Sequence, residues 1–235
     1  MNKEKTYDPI LITGVERSGS TFVAKILDMC GVFSGAGNNM FENTMIHSLH
    51  YEMLRNVEEL FPVTDKINIP YGWRDIILAE MKQEGWYEDQ PWMVKGSVLA
   101  QYWPVWHYAF PDAKWLIVRR RTGDVIQSCI KTGFMKTFKQ VENLKKLGLK
   151  EEKDGWLWWV HQYENKFIEM IKEGLNCRIV WPDRLAEPVD AYKCVKQMYE
   201  TVEWLGLEWN DDIPDVILPL FKKDRRIKHG NKNDG

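Results

Sequence analysis

The chain alternates short apolar runs with longer stretches of helical spacing. The first run, Ile10-Leu11-Ile12, is followed after a polar interval by Phe22, Val23, Ile26, Leu27 and Cys30, whose spacing predicts a helix that Gly31 ends. Residues 32–41 form a Gly/Asn-rich loop, residues 42–60 read as a helix and residues 73–84 as another, an excursion before the next strand. Trp92-Met93-Val94 is a second short run, helical spacing covers 98–110, and Lys114-Trp115-Leu116-Ile117-Val118 has the continuous apolarity of a buried strand. A helix starts at Thr122. Residues 131–154, rich in lysine and glycine with weak periodicity, read as a mobile flap with one short helix, able to close over a ligand. A helix over 156–171, a strand over 177–181 and a helix over 189–205 complete the pattern, followed by a Pro-containing basic tail that reads as flexible from about 222 to 235.

Strands that alternate with helices imply an α/β fold: a central, mostly parallel sheet covered on both faces, with ligands at the carboxyl ends of the strands. Chemistry is therefore expected in the loops after Thr13, Val94, Val118 and Trp181. No Pro/Gly/Ser-rich linker divides the 235 residues, which predicts one domain over 1–235.

Charge narrows the partners. Lys and Arg number 32 against 34 Asp and Glu, a net charge of -2, so no global attraction to nucleic acid or to an anionic membrane is expected and any anion site must be local. Cys30, Cys129, Cys177 and Cys194 are far apart without C-x-x-C spacing, which argues against zinc and against a disulfide framework. The charged N-terminal residues and the lack of any long apolar stretch predict a soluble, cytoplasmic protein without stable membrane insertion.

The most informative interval is Gly14-Val15-Glu16-Arg17-Ser18-Gly19-Ser20-Thr21, a Gly/Ser loop between the first strand and the first helix. Such a loop aims unpaired backbone N–H groups at one point, where the helix dipole adds to them, and so suits a phosphate or sulfate. Gly14, Gly19 and Thr21 nearly satisfy G-x-x-x-x-G-K-[ST], but Ser20 stands in place of the lysine that serves triphosphates, and Arg17 puts a cation earlier in the loop. The same residues also fit an ordinary strand-to-helix turn with a serine cap.

A second anion signal is Arg119-Arg120-Arg121 at the end of the buried strand, with Ser128 on the next helix one turn beyond Asp124. Solvated strand-end arginines and a surface serine would look the same. Taken together, however, the loop at 14–21 and Phe110-Pro111-Asp112-Ala113-Lys114 through Ser128 resemble the two phosphate motifs of the sulfotransferase superfamily. Three weaker likenesses follow in the same order: Asn38 to Asn43, Trp181 to Pro188, and Trp204-Leu205-Gly206-Leu207.

The resemblance implies a P-loop-like, three-layer α/β fold and transfer of a sulfuryl group from 3′-phosphoadenosine 5′-phosphosulfate to a hydroxyl or amine, with no metal required. It implies that Arg17, Ser18, Gly19, Ser20 and Thr21 hold the 5′-phosphosulfate and that Arg120 and Ser128 hold the 3′-phosphate, with Lys228 and Gly230 of the tail wrapping it. Arg17 and Lys95, where many members carry a lysine, would stabilise the leaving phosphate. Some members use a histidine two residues beyond that lysine as base; this chain has Ser97 there, so Glu42, matching an acidic residue of other branches, is the candidate base. Glu42 could equally be a first-turn acid favoured by a helix dipole, and Lys95 a strand-end lysine facing water. His47 and His50 read as exposed or core-packed rather than as bases, and most of the 12 tryptophans as core. The acceptor, a small molecule or a glycan, has no motif of its own. A P-loop kinase and a non-catalytic nucleotide-binding protein are the other readings.

Overall fold

The computed structural model describes residues 8–54, 61, 67–134, 136–182 and 191–223. Four parallel strands, β1 (Ile10–Thr13), β2 (Met93–Lys95), β3 (Lys114–Val118) and β4 (Cys177–Val180), form one sheet in the order β2-β1-β3-β4. The helices are α1 (Ser20–Met29), α2 (Thr44–Leu54), α3 (Trp73–Gln83), α4 (Val98–Gln101), α5 (Trp103–Ala109), α6 (Thr122–Thr132), α7 (Val141–Lys146), α8 (Glu152–Lys172), α9 (Ala191–Leu205) and α10 (Ile213–Lys223).

Successive side chains of a strand point to opposite faces, and each face here has its own core. Ile10, Ile12, Leu116 and Val118 pack with α1, α9 and α10, whereas Leu11, Val94, Trp115 and Ile117 pack with the larger layer that includes α3, α5 and α8. With both faces covered, the central strands β1 and β3 are buried along nearly their whole length and read as continuous apolar runs, whereas β4 at the sheet edge is partly exposed and carries Arg178. The result is the expected three-layer α/β arrangement.

The boundaries differ from expectation where side chains rather than periodicity decide. The helix expected from Glu42 begins at Thr44, because the Asn43 side-chain oxygen accepts the Ile46 N–H at 3.0 Å and caps it; residues 55–60 of that expected helix lie outside the described residues. The helix expected over 98–110 is two helices broken at Tyr102, since Pro104 brings no N–H for the Ala100 carbonyl and its ring crowds that carbonyl. The expected flap is packed: a 3-10 turn at Thr137–Lys139 and α7 follow α6, α8 begins four residues earlier than the apolar spacing suggested, and Phe138 and Leu144 are buried. Phe138 lies edge-on to Trp156 and so close to Gly155 that a Cβ there would meet its ring at 2.4 Å. The tail after Leu205 starts with an extra helix, α10, whose Pro214 falls in the first turn, where no donor is needed, and whose Ile213 and Ile217 are buried.

His50 is the most deeply buried ionisable group of α2. Its Nε2 accepts the Trp106 Nε1–H at 2.9 Å, and its ring contacts Trp73 and Tyr102. Burial, with a smaller contribution from His47, pushes its pKa down to about 3. The folded chain thus holds the neutral imidazole, while the unfolded chain takes up a proton at about pH 6.5. The associated stability is complete above about 6.5 and is lost as pH falls toward 3, by up to about 1.4 kcal/mol per pH unit. His50→Gln keeps an acceptor for Trp106 without the titration. Urea unfolding between pH 7 and 4.5 is expected to show a shallower loss of stability in this variant than in the parent chain.

Candidate active site

The site begins where β1 ends. Gly14 lies under the end of β3: a Cβ there would sit 2.3 Å from the Val118 carbonyl oxygen and 2.5 Å from Ser18 Oγ, so only glycine lets the loop pass. Arg17 (φ 66°) and Gly19 (φ 98°) are left-handed, and they turn the chain so that α1 starts at Ser20. The N-cap is Gly19 and no side chain caps α1, so its first-turn N–H groups are not satisfied by a serine. The Ser18 hydroxyl is fully buried beside Gly14 and has no hydrogen-bond partner among the described residues. An uncapped helix start behind a loop with a cation at its crest suits an anionic group.

Two motifs distant in sequence meet at this loop. The exposed Arg17 donates from Nε to Ser128 Oγ at 3.0 Å across 111 residues, and Arg120 Nη1 donates to the Arg17 carbonyl at 3.2 Å. The neighbouring Arg119 turns the other way, hydrogen-bonding through Nε to Glu164 at 3.0 Å and stacking over the Trp181 ring at 4.5 Å. The arginines therefore divide their work: Arg119 turns toward α8, and Arg120 reaches the loop.

The second cluster sits on the β2 side. β2 pairs Lys95 with Ile12, and Thr13 Oγ1 donates to the Ser97 carbonyl at 3.2 Å, so Lys95 stands beside the last residues of β1. Its ammonium is almost wholly buried and donates to Glu42 Oε1 at 2.8 Å. Because Asn43 and not Glu42 opens α2, the Glu42 carboxylate is free of the helix and reaches across to the lysine. Asn38 fixes it from behind: its side-chain oxygen accepts the Glu42 backbone N–H at 3.2 Å, and its amide donates to Glu42 Oε2 at 3.4 Å. Burial alone would raise the Glu42 pKa, but the hydrogen bond and charge of Lys95, helped by Asn38 and His47, outweigh it and hold it below the ordinary carboxylate range.

Of the residues singled out from sequence, Arg17, Ser18, Gly19, Ser20, Thr21, Arg120 and Ser128 form one cluster, and Glu42 and Lys95 form a second beside the same strand end. Neither Glu42 as a first-turn acid nor Lys95 as a solvated lysine matches what is seen. Lys228 and Gly230 lie outside the described residues, as do residues 183–188 of the segment after β4. Glu16 has no role in the motif itself, yet its carboxylate accepts from Trp159 and Tyr163 of α8. An acid inside a loop otherwise suited to anions was the available signal. Among the described residues no group of three or more His, Cys, Asp or Glu could hold a metal ion, and no helix is long and apolar enough to cross a membrane.

No family model matches this chain, and no curated protein matches it in sequence. Among solved structures, sulfotransferase STF9 from Mycobacterium avium has a similar fold, with a TM-score of 0.50 and 12% identity over 97% of this chain and 69% of that one. At that identity the likeness is one of fold.

Proposed function

We propose that the chain is a sulfotransferase that takes its sulfuryl group from 3′-phosphoadenosine 5′-phosphosulfate and transfers it to a hydroxyl or amine of a small molecule or glycan. The observation that carries this reading is the meeting of Arg17, Arg120 and Ser128, two cations and a hydroxyl from separate motifs, around an uncapped helix start. The donor has anionic groups at both ends and needs cations and N–H groups at two places. Arg17 and the loop amides would hold its 5′ end, with Arg120 and Ser128 at its 3′-phosphate. The serine at position 20 leaves the loop without the lysine that triphosphate chemistry uses.

When bound, the donor supplies a sulfuryl group attached through oxygen to a phosphate. Arg17 and the loop amides oppose the negative charge that grows on that phosphate as its bond to sulfur breaks. Glu42, ionised at neutral pH, accepts the proton of the attacking hydroxyl as the new oxygen–sulfur bond forms. Lys95 links the two events. Its charge is what keeps Glu42 acidic, so any movement of that charge toward the leaving phosphate makes Glu42 a stronger base at the moment a base is needed.

Two measurements test this reading. Adenosine 3′,5′-bisphosphate without magnesium, at 100 times its dissociation constant, is expected to stabilise the protein by about 2.7 kcal/mol in a thermal-shift assay, and Arg120→Ala to abolish the shift. A shift with magnesium-ATP alone would favour the kinase reading instead. With a turned-over acceptor in hand, Glu42→Gln is expected to leave bisphosphate binding intact and to lower turnover at least about tenfold; undiminished turnover would remove Glu42 from the mechanism.

A further inference from the structure

We infer that Glu16, held by Trp159 and Tyr163 of α8, is the positioning residue that keeps the 14–21 loop in its anion-receiving shape. A carboxylate next to Arg17 in a loop that receives negative charge would weaken binding if it faced the ligand. It faces away: Oε2 accepts the Trp159 Nε1–H at 2.7 Å and Oε1 accepts the Tyr163 hydroxyl at 3.1 Å. Both acceptor oxygens are thus engaged by one helix.

The anchor is rigid. Tyr163 is fully buried, and its hydroxyl also accepts from Gln101 Nε2 of α4 at 2.7 Å. Burial first, and then the charge of Glu16, raise the Tyr163 pKa well above its ordinary value, so the hydroxyl stays protonated and keeps donating. Trp159 is edge-on to Phe61, Phe138 and Tyr163. The 3-10 turn at Thr137–Lys139 thereby contributes through Phe138 to the support of the loop.

The left-handed backbone of Arg17 explains why a brace is needed. A non-glycine residue holds such a conformation only where its surroundings over-determine it. At Arg17 three contacts do so: Glu16 is pinned to α8 on the N-terminal side, Ser128 holds the side chain, and Arg120 holds the carbonyl. Two of these come from the proposed ligand groups themselves. The brace at Glu16 is independent of them and would persist when a ligand draws Arg120 and Ser128 away.

The shape-keeping role rests on the geometry alone, and the consequence for the donor rests on the sulfotransferase reading, so the test has two arms. In nucleotide-free protein, Glu16→Ala and Tyr163→Phe are expected to speed amide hydrogen exchange at least about tenfold at Ser18, Phe22 and Val23, whose N–H groups bond the Val15 and Gly19 carbonyls of the loop, with β3 and α9 unchanged and Glu16→Gln, which retains an acceptor for Trp159, close to the parent. In the second arm both variants are expected to bind adenosine 3′,5′-bisphosphate at least about tenfold more weakly and adenosine 3′-phosphate within about twofold of the parent, because only the 5′ end meets the loop. Loop exchange within about twofold of the parent in both variants would overturn the brace, and equal weakening of both nucleotides would overturn its selective effect on the 5′ end. If the parent binds neither nucleotide, the donor reading falls, and the exchange arm still decides the brace.

Discussion

Parallel pairing of β1 on both of its edges is the constraint from which the site follows. β2 and β3 run alongside it in register, so Lys95, the loop after Thr13 and the arginines after Val118 all emerge at one edge of the sheet. The same closeness dictates a glycine at position 14, since the Val118 carbonyl occupies the space of its Cβ. Residues separated by 111 positions, Arg17 and Ser128, can then share a hydrogen bond without any long excursion of either chain segment. Strand order does the assembling, and the side chains inherit their neighbours from it.

The charges at that edge are paired so that each has a defined direction before any ligand arrives. Arg119 is committed to Glu164 and Trp181, which leaves Arg120 to face the loop. Glu16 is committed to α8, which leaves the loop's open side to Arg17 and the backbone. Lys95 and Glu42 neutralise one another in a largely buried place, where removing either partner would strand the other's charge. A site whose cations are already fixed spends little on reorganisation when charge shifts within it.

Much of this was legible in the sequence, and the exceptions have local causes. The central strands are readable because both of their faces are covered and Ile10–Ile12 and Trp115–Val118 are continuously apolar. The loop stood out because its glycines and serines interrupt that apolarity between a strand and a helix. Pro104 was visible but lost inside an otherwise helical spacing, so two helices looked like one. Phe138 and Leu144 are too few to give a period, yet two buried side chains suffice to pin the segment that carries them. Glu42 is open to two readings in the sequence, and a single residue decides between them: Asn43 caps α2, so the helix starts two residues later than its periodicity suggests and Glu42 pairs with Lys95 instead of standing in the first turn. The meeting of the 14–21 loop with Arg120 and Ser128 is expected from two motifs that leave neighbouring strand ends, whereas the engagement of Glu16 by Trp159 and Tyr163 depends on tertiary packing and leaves no pattern in the chain itself.

On the proposed function, the 14–21 loop and the Arg120–Ser128 motif act as one anion site. A double-mutant cycle on Arg17 and Ser128, read out as the affinity for adenosine 3′,5′-bisphosphate by calorimetry, tests it most directly. Arg17→Ala and Ser128→Ala are each expected to weaken binding and together to depart from additivity by at least about 0.5 kcal/mol, as residues in contact do. Strictly additive losses, or an affinity untouched by either substitution, would contradict it.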